Sequence, residues 1–194
     1  RGKHNQRMDN TVTAVIMLGS GGTSKFEALV QSSRRQTAIA TAQILATLDQ
    51  IEKIVVAMPA SERPTWEANP NVAQVSGSLQ YDFDLPGVQF HFGNRIAEIV
   101  RRLDLERVLY IGAGSMPLLS HKKINDIVGE LSRASERWAI TNNYHSSDWL
   151  GMTDASVLSK TANRLPRDNM LGWVLNDQAG FRVQVLPPSA ATQL

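Results

Sequence analysis

The run Arg107-Val108-Leu109-Tyr110-Ile111-Gly112-Ala113-Gly114-Ser115-Met116-Pro117-Leu118-Leu119-Ser120 changes abruptly from apolar and β-branched residues to glycine, serine and proline. Val108 to Ile111 have the composition of a strand buried on both faces, and the glycines that follow let its end bend sharply. Beyond the bend, His121 to Ala134 place Ile124, Ile127, Val128 and Leu131 at helical spacing. The unit reads strand, loop, helix. Its loop lies at the carboxyl end of the strand, the edge at which open α/β sheets bind ligands. A plain strand-to-helix turn explains the same pattern.

Working back towards the N-terminus, the same grammar recurs. Thr11 to Leu18 is a second buried-strand candidate, and it runs straight into Gly19-Ser20-Gly21-Gly22-Thr23-Ser24-Lys25. That turn offers backbone N–H groups, hydroxyls and one positive charge, a combination suited to a phosphate. It is neither a Walker A loop nor a clean G-x-G-x-x-G fingerprint, and a tight connection would also use those glycines. From Gln36 to Leu48, Ala38, Ile39, Ala42, Ile44, Leu45 and Leu48 predict a helix packed on a sheet, and Lys53 to Met58 predict the next strand, stopped by Pro59. Strand, helix and strand form a parallel crossover unit. Arg1 to Asn10, polar and basic, read as a loose arm over residues 1–10, ahead of one α/β domain over residues 11–194.

Ser61 to Gly87 is irregular and reads as a surface excursion. Val88 to Phe92 predicts a third strand, with His91 packed in its alternation and Gly93-Asn94 opening a helix over Arg95 to Leu103, for which Asn94 can serve as cap. Past the quoted run, Trp138 to Thr141 predicts another strand. Asn142-Asn143-Tyr144-His145-Ser146-Ser147-Asp148-Trp149 then forms the densest polar cluster in the chain, leading into Leu150 to Ala155. In it Asn142, Asn143 and His145 are candidate substrate-binding side chains, and Asp148 or His145 can handle a proton or a metal. A hydrogen-bonded turn needs the same residues. Short helices over Ser156 to Arg164 and Asn169 to Asp177, the latter ended by Gly180, and a strand over Phe181 to Leu186 complete the pattern.

Composition narrows the function classes. Lys plus Arg number 20 against 18 Asp plus Glu, so neither a nucleic-acid partner nor an acidic tail is implied. The doublets Arg34-Arg35, Arg101-Arg102 and Lys122-Lys123 read as solvated helix faces. The absence of cysteine removes disulfides, thiolate metal sites and cysteine catalysis together, and fits a reducing cytoplasm. No apolar run approaches the roughly 20 residues that cross a bilayer, and no signal peptide is visible, so the expectation is a cytoplasmic protein with no membrane partner.

The order of these motifs resembles the MobA-like nucleotidyltransferases, a broad group with a GT-A-type fold that includes molybdenum-cofactor guanylyltransferases and sugar-phosphate nucleotidyltransferases. The residues that carry the resemblance are the Gly-Gly-Thr-Ser loop with Lys25, Gly93 at the third crossover helix, and Gly114-Ser115-Met116-Pro117-Leu118-Leu119 at the end of the central strand. It implies a three-layer α/β/α fold with a mainly parallel sheet, and transfer of a nucleotidyl group from a nucleoside triphosphate to a small phosphorylated or cofactor-type acceptor. Nucleotide contacts would then fall on Gly19, Ser20, Gly21, Gly22, Thr23, Gly93, Asn94, Gly114 and Ser115, with Lys25 beside the phosphates and Mg²⁺ as cofactor. The family's usual metal-binding aspartate is Ser115 here, and if the chain is an active transferase its metal would be held differently, by Asp148 and water. The family's Arg-Met-Gly-x-x-Lys run is replaced by Lys25-Phe26-Glu27-Ala28. Three readings stay open: an active transferase with its metal held differently, a nucleotide-binding protein without chemistry, and another small-molecule enzyme on the same scaffold.

Overall fold

In the computed structural model, which describes residues 10–116, 119–135 and 137–187, a seven-stranded sheet runs through the molecule in the order β3-β2-β1-β4-β6-β5-β7. The strands are β1 (Val12–Met17), β2 (Ile51–Met58), β3 (Leu79–Phe83), β4 (Val108–Gly112), β5 (Trp138–Thr141), β6 (Trp149–Met152) and β7 (Arg182–Val185). The quoted run thus supplies the middle strand. Every neighbouring pair is parallel except β4 with β6 and β5 with β6. The helices are α1 (Lys25–Leu45), α2 (Arg63–Glu67), α3 (Pro70–Ala73), α4 (Phe92–Leu103), α5 (His121–Arg133), α6 (Leu158–Thr161) and α7 (Leu171–Ala179).

Strand β1 is buried along its whole length because both its faces are covered. Ala14 and Ile16 meet Ala38, Ile39 and Ala42 of α1, with Ile124, Ile127 and Val128 of α5 in the same cluster. On the other face Val15 and Met17 join Ile96, Ile99 and Val100 of α4 and Leu171, Val174 and Leu175 of α7. Each fully buried aliphatic side chain contributes about 1.5–3 kcal/mol, so these two layers clamp the sheet between them. The arrangement is three-layer α/β/α around a mainly parallel sheet, as the sequence leads one to expect.

Three segments depart from that expectation. Val88 to Phe92 is not a strand: Val88 and Phe90 are 65% and 57% exposed, and Phe92 already belongs to α4. The third strand is Leu79–Phe83, inside the stretch that reads as an excursion. The helix after β1 begins at Lys25 rather than Gln36, because Ser24 and Glu27 form a reciprocal capping box that starts it early. Trp149–Met152 adds an antiparallel strand that the sequence pattern does not predict; all four residues are buried, so neither alternation nor helical spacing marks it. Residues 1–9 of the expected N-terminal arm, Pro117, Leu118, Glu136 and the C-terminal tail beyond Pro187 lie outside the described residues.

The edge strand β3 is fastened by charge. Asp82, only 5% exposed, pairs with Arg95 at 2.7 Å and with Arg102, while Arg95 also reaches Asp84 and Glu98, each at 3.0 Å. Asp82→Ala is expected to cost about 2 kcal/mol, because it removes the buried carboxylate shared by two guanidinium groups, which keep only Asp84 and Glu98 as partners. Arg102→Ala, on the exposed side, should cost less than about 1 kcal/mol. Urea denaturation midpoints of the two variants check both.

Candidate functional site

The ends of β1 and β4 are joined in register, Met17 beside Gly112, and the turn beyond β4 is tied back by an Ala113 N–H donating to Met17 O at 2.9 Å. The two glycine turns therefore meet at one rim. There they border a cleft of about 930 Å³ lined by Gly19, Arg34, His91, Tyr110, Ser115, Asp148, Arg167 and Asp168, among others. A volume of this size lies within the range of small-molecule sites.

The first turn is held from α1. Gln31 is buried and donates through Nε2 to Gly19 O at 2.7 Å, so Gly19 stays at the cleft mouth. The rest of the loop leads away from it. Ser20 borders a second cavity, while Gly21, Gly22 and Thr23 are exposed and line neither. Glu27 folds over Gly22 and accepts from the N–H and hydroxyl of Ser24 at 3.0 and 2.7 Å. Those hydrogen bonds, the Ser24 hydroxyl first, lower the Glu27 pKa below the ordinary carboxylate range. Lys25 is exposed at the first position of α1 and lies outside the cleft. The cation that α1 brings to the cleft is Arg34, about 13 Å of helix axis beyond Lys25.

The second turn requires glycine. Gly114 has φ +94°, and a Cβ there would stand 3.0 Å from Arg34 Cγ. Arg34 lies across this turn and shares the cleft wall with Ser115. Of the Arg34-Arg35 doublet, Arg35 pairs with Glu62 at 2.7 Å in a largely buried contact, while Arg34 forms no ion pair among the described residues. Ser115 donates its hydroxyl to Asp148 O at 2.8 Å, and Gly112 N–H donates to the same carbonyl at 2.9 Å, which fixes the hairpin between β5 and β6 against β4.

Within that hairpin most of the polar cluster is spent on itself. Asn142 donates Nδ2 to Asp148 Oδ2 at 2.8 Å and accepts from Asp148 N–H at 3.2 Å. Asn143 Oδ1 accepts from His145 N–H at 3.0 Å, and the His145 ring stacks edgewise on Tyr144, which itself donates to Asn176. Asn142, Asn143 and His145 do not line the cleft; Asp148 alone of the cluster does. Asn142 acts through it, as the group that orients the carboxylate.

Gly93 and Asn94 are also placed differently from expectation. The cap of α4 is His91, whose Nδ1 accepts from Asn94 N–H at 3.3 Å. Gly93 is buried against the segment Ala162–Leu165, with its N–H donating to Leu165 O at 2.7 Å, so that N–H is committed. A Cβ at this position would meet Ala162 O at 2.1 Å. Packing, rather than an approaching ligand, explains the glycine.

Two cleft residues carry no signal in the sequence, Arg167 and Asp168, which follow Pro166 in an irregular stretch. Asp168 Oδ2 accepts from Tyr110 OH at 2.7 Å. Tyr110 is 2% exposed, with Phe92 edgewise at 4.9 Å, and its phenol is shifted strongly upward, first by burial, then by the charges of Asp168 and Asp148. A raised phenol pKa adds stability that is present in full below the unfolded value near 10 and is lost as pH climbs above it. Tyr110→Phe should therefore flatten the alkaline fall in melting temperature. The difference in phenolate absorbance between wild type and this variant should stay at zero until the protein unfolds.

The cleft thus combines Arg34 and Arg167 with Asp148 and Asp168. Each carboxylate commits Oδ2 to one neighbour, and no partner is seen for its Oδ1 among the described residues. Among the described residues there is no cluster of three or more acidic or histidine ligands. Carboxylates are the ligand type that Mg²⁺ takes, with waters and substrate phosphates supplying its remaining oxygens, so the donor types at the cleft suit that ion. No helix among the described residues is long and apolar enough to cross a membrane.

A second cavity of about 760 Å³ continues from the cleft through Gln89, Phe90 and His91. Leu85, Val88 and Phe90 form its wall and are 67%, 65% and 57% exposed. Asp84, Asn94 and Glu98 stand at its polar edge.

Comparison with known proteins agrees with this architecture. The sequence matches no protein-family profile and no curated protein. Among solved structures it is similar to a cytidylyltransferase from Leptospira borgpetersenii, with TM-score 0.64 and 15% identity over 91% of this chain and 76% of that one. It is also similar to a 4-diphosphocytidyl-2C-methyl-D-erythritol synthase from Anaerococcus prevotii, with TM-score 0.59 and 11% identity over 92% and 87%. A third, a CMP:2-keto-3-deoxy-manno-octonic acid synthetase complexed with CTP, aligns with TM-score 0.54 and 11% identity over 91% and 89%. At such identities the likeness establishes the fold, which is of the nucleotidyltransferase type.

Proposed function

We propose, starting from a chain folded like the cytidylyltransferases, that the cleft binds a nucleoside triphosphate and transfers its nucleotidyl group to a small phosphorylated or cofactor-type acceptor. The observation that carries this reading is the meeting of two guanidinium groups and two carboxylates at the joined ends of β1 and β4. Arg34 and Arg167 would hold the phosphates, the part that the family resemblance gives to Lys25, with the planar donor geometry that suits phosphate oxygens. Asp148 and Asp168 would hold Mg²⁺, which when bound supplies charge neutralisation and polarises a phosphoryl oxygen. The adjoining apolar wall of Leu85, Val88 and Phe90 suits the flat face of a base, and Asp84, Asn94 and Glu98 can read its edge.

With the triphosphate so held, an acceptor oxygen attacks the α-phosphorus, the bond to the bridging oxygen breaks, and pyrophosphate leaves. The protein's share is positioning and electrostatics. The MobA-like branch is supported by its two glycine turns alone.

Ser115 favours a second reading, nucleotide binding without transfer, since a hydroxyl offsets no metal charge. Thermal-shift measurements with nucleoside triphosphates and Mg²⁺, followed by a pyrophosphate-release assay across phosphorylated acceptors, separate the two. Transfer requires that nucleotide and Mg²⁺ together raise the melting temperature more than the sum of their separate effects, and that pyrophosphate appears. Nucleotide stabilisation indifferent to metal, with no pyrophosphate, supports the second reading; no response to any nucleotide contradicts both.

A further inference from the structure

At the opposite edge of the sheet lies a recess of about 550 Å³ that the proposed reaction does not use. Its walls include Arg137, Lys160, Asn163, Arg164, Gln178 and Gly180. Strand β5 runs in the direction of β4, since each is antiparallel to β6, so Arg137, just ahead of β5, marks the amino edge, away from the cleft.

Three of the lining side chains are cations and none is a carboxylate. Arg137 is the anchored one. Its NH1 donates to Ala179 O at 3.4 Å, its Nε lies 3.5 Å from Asp154, and its backbone is held at φ +52°, a conformation that side-chain-bearing residues rarely adopt. Lys160 and Arg164 are exposed and stand on successive turns of the segment that follows β6. Neither forms an ion pair among the described residues, whereas Arg137 at the same wall holds Asp154. Asn163 and Gln178 add amide donors at the same wall. Like charges on successive turns repel, and nothing in the packing of the segment needs them.

We infer that this recess is a second anion site, which takes a small compound bearing two or more linked phosphates. The concave shape and volume suit a small molecule rather than a nucleic-acid or membrane surface, which would ask for a broad basic face. Guanidinium groups from two separate elements can donate to phosphate oxygens, Arg137 through the N–H groups it does not commit to Ala179 and Asp154, and the lysine adds a third charge at the same wall. The segment that carries Lys160 and Arg164 continues through Leu165, bonded to Gly93, into Arg167 and Asp168 of the cleft. An anion in the recess therefore sits on the same short stretch of chain that finishes the other site.

The test is calorimetric titration of the full chain with inorganic pyrophosphate at low salt, on wild type, on a recess variant (Lys160→Glu with Arg164→Glu) and on a cleft variant (Arg34→Ala with Arg167→Ala). Both recess side chains are exposed, and circular dichroism confirms that the variant is folded. The inference predicts a saturable recess equivalent in wild type and in the cleft variant, weakened about a hundredfold in the recess variant at about tenfold or more per cation. It is overturned if pyrophosphate binding survives in the recess variant with unchanged stoichiometry, if it vanishes only in the cleft variant, or if wild type shows no saturable binding. With pyrophosphate binding at the recess as the criterion, a nucleoside diphosphate titrated in the same way shows whether an esterified diphosphate is taken as well as the free one. Loss of the cleft equivalent alone would count against the proposed transferase and leave this inference standing.

Discussion

Gly93→Ala is expected to destabilise the protein by about 3 kcal/mol or more, one of the largest effects of any single methyl group in this fold. The new Cβ would stand 2.1 Å from Ala162 O and 2.8 Å from Leu165 Cβ, so a backbone carbonyl, which has no rotamer to change, would have to move. Either α4 withdraws from the 162–165 segment or the segment withdraws from α4. In both cases the hydrogen bond from Gly93 N–H to Leu165 O is lost. For a domain of this size the melting temperature should fall by about 6–12 °C. The segment continues into Arg167 and Asp168, so nucleotide affinity should fall as well, although residue 93 lies outside the cleft lining. A calorimetric scan and a nucleotide titration on the same sample check both consequences.

The second large effect is confined to chemistry. Asp148→Asn should lower kcat/KM for Mg²⁺-dependent transfer by at least about a hundredfold, or about 2.7 kcal/mol of transition-state stabilisation. Its stability should change by less than about 0.5 kcal/mol, since residue 148 is exposed and asparagine keeps the backbone groups that meet Gly112, Ser115 and Asn142. The two effects separate a charge at the metal from a strut in the hairpin. Asn142→Ala should reproduce part of the kinetic loss, because Asn142 holds the carboxylate by Nδ2. Steady-state rates against Mg²⁺ concentration, with denaturation midpoints alongside, read both.

What is legible in the sequence follows from burial on both faces. Val108 to Ile111 and Val12 to Met17 are nearly unbroken apolar runs because helices cover both sides, and such runs announce parallel strands. The edge strand Leu79–Phe83 does not announce itself. It carries Gln80 and Asp82, and Asp82 is buried only because Arg95 and Arg102, distant in sequence, meet it there. Val88 to Phe92 misleads for the converse reason, since Val88 and Phe90 line a cavity rather than a core.

The site is legible as a rim and obscure as a set of side chains. The convergence of the two turns follows from strand order, which a β-α-β pattern encodes. Arg34 looks like half of a solvated doublet, and its role depends on a two-and-a-half-turn offset along α1 that brings it over Gly114. Asp168 follows a proline in irregular chain, and only the fold places it beside Tyr110. Conversely, the polar cluster Asn142 to Asp148 stands out by density, yet most of its hydrogen bonds close a hairpin.

All of this rests on the claim that phosphates bind where β1 and β4 end. The most direct measurement is the equilibrium affinity of a nucleoside triphosphate, with Mg²⁺ present, for wild type and for Arg34→Ala with Arg167→Ala. Removing both guanidinium groups should weaken binding by about a hundredfold or more while the melting temperature of the unliganded protein holds steady. Equal affinity in the two proteins, or no nucleotide bound by wild type at all, would contradict the assignment of this cleft.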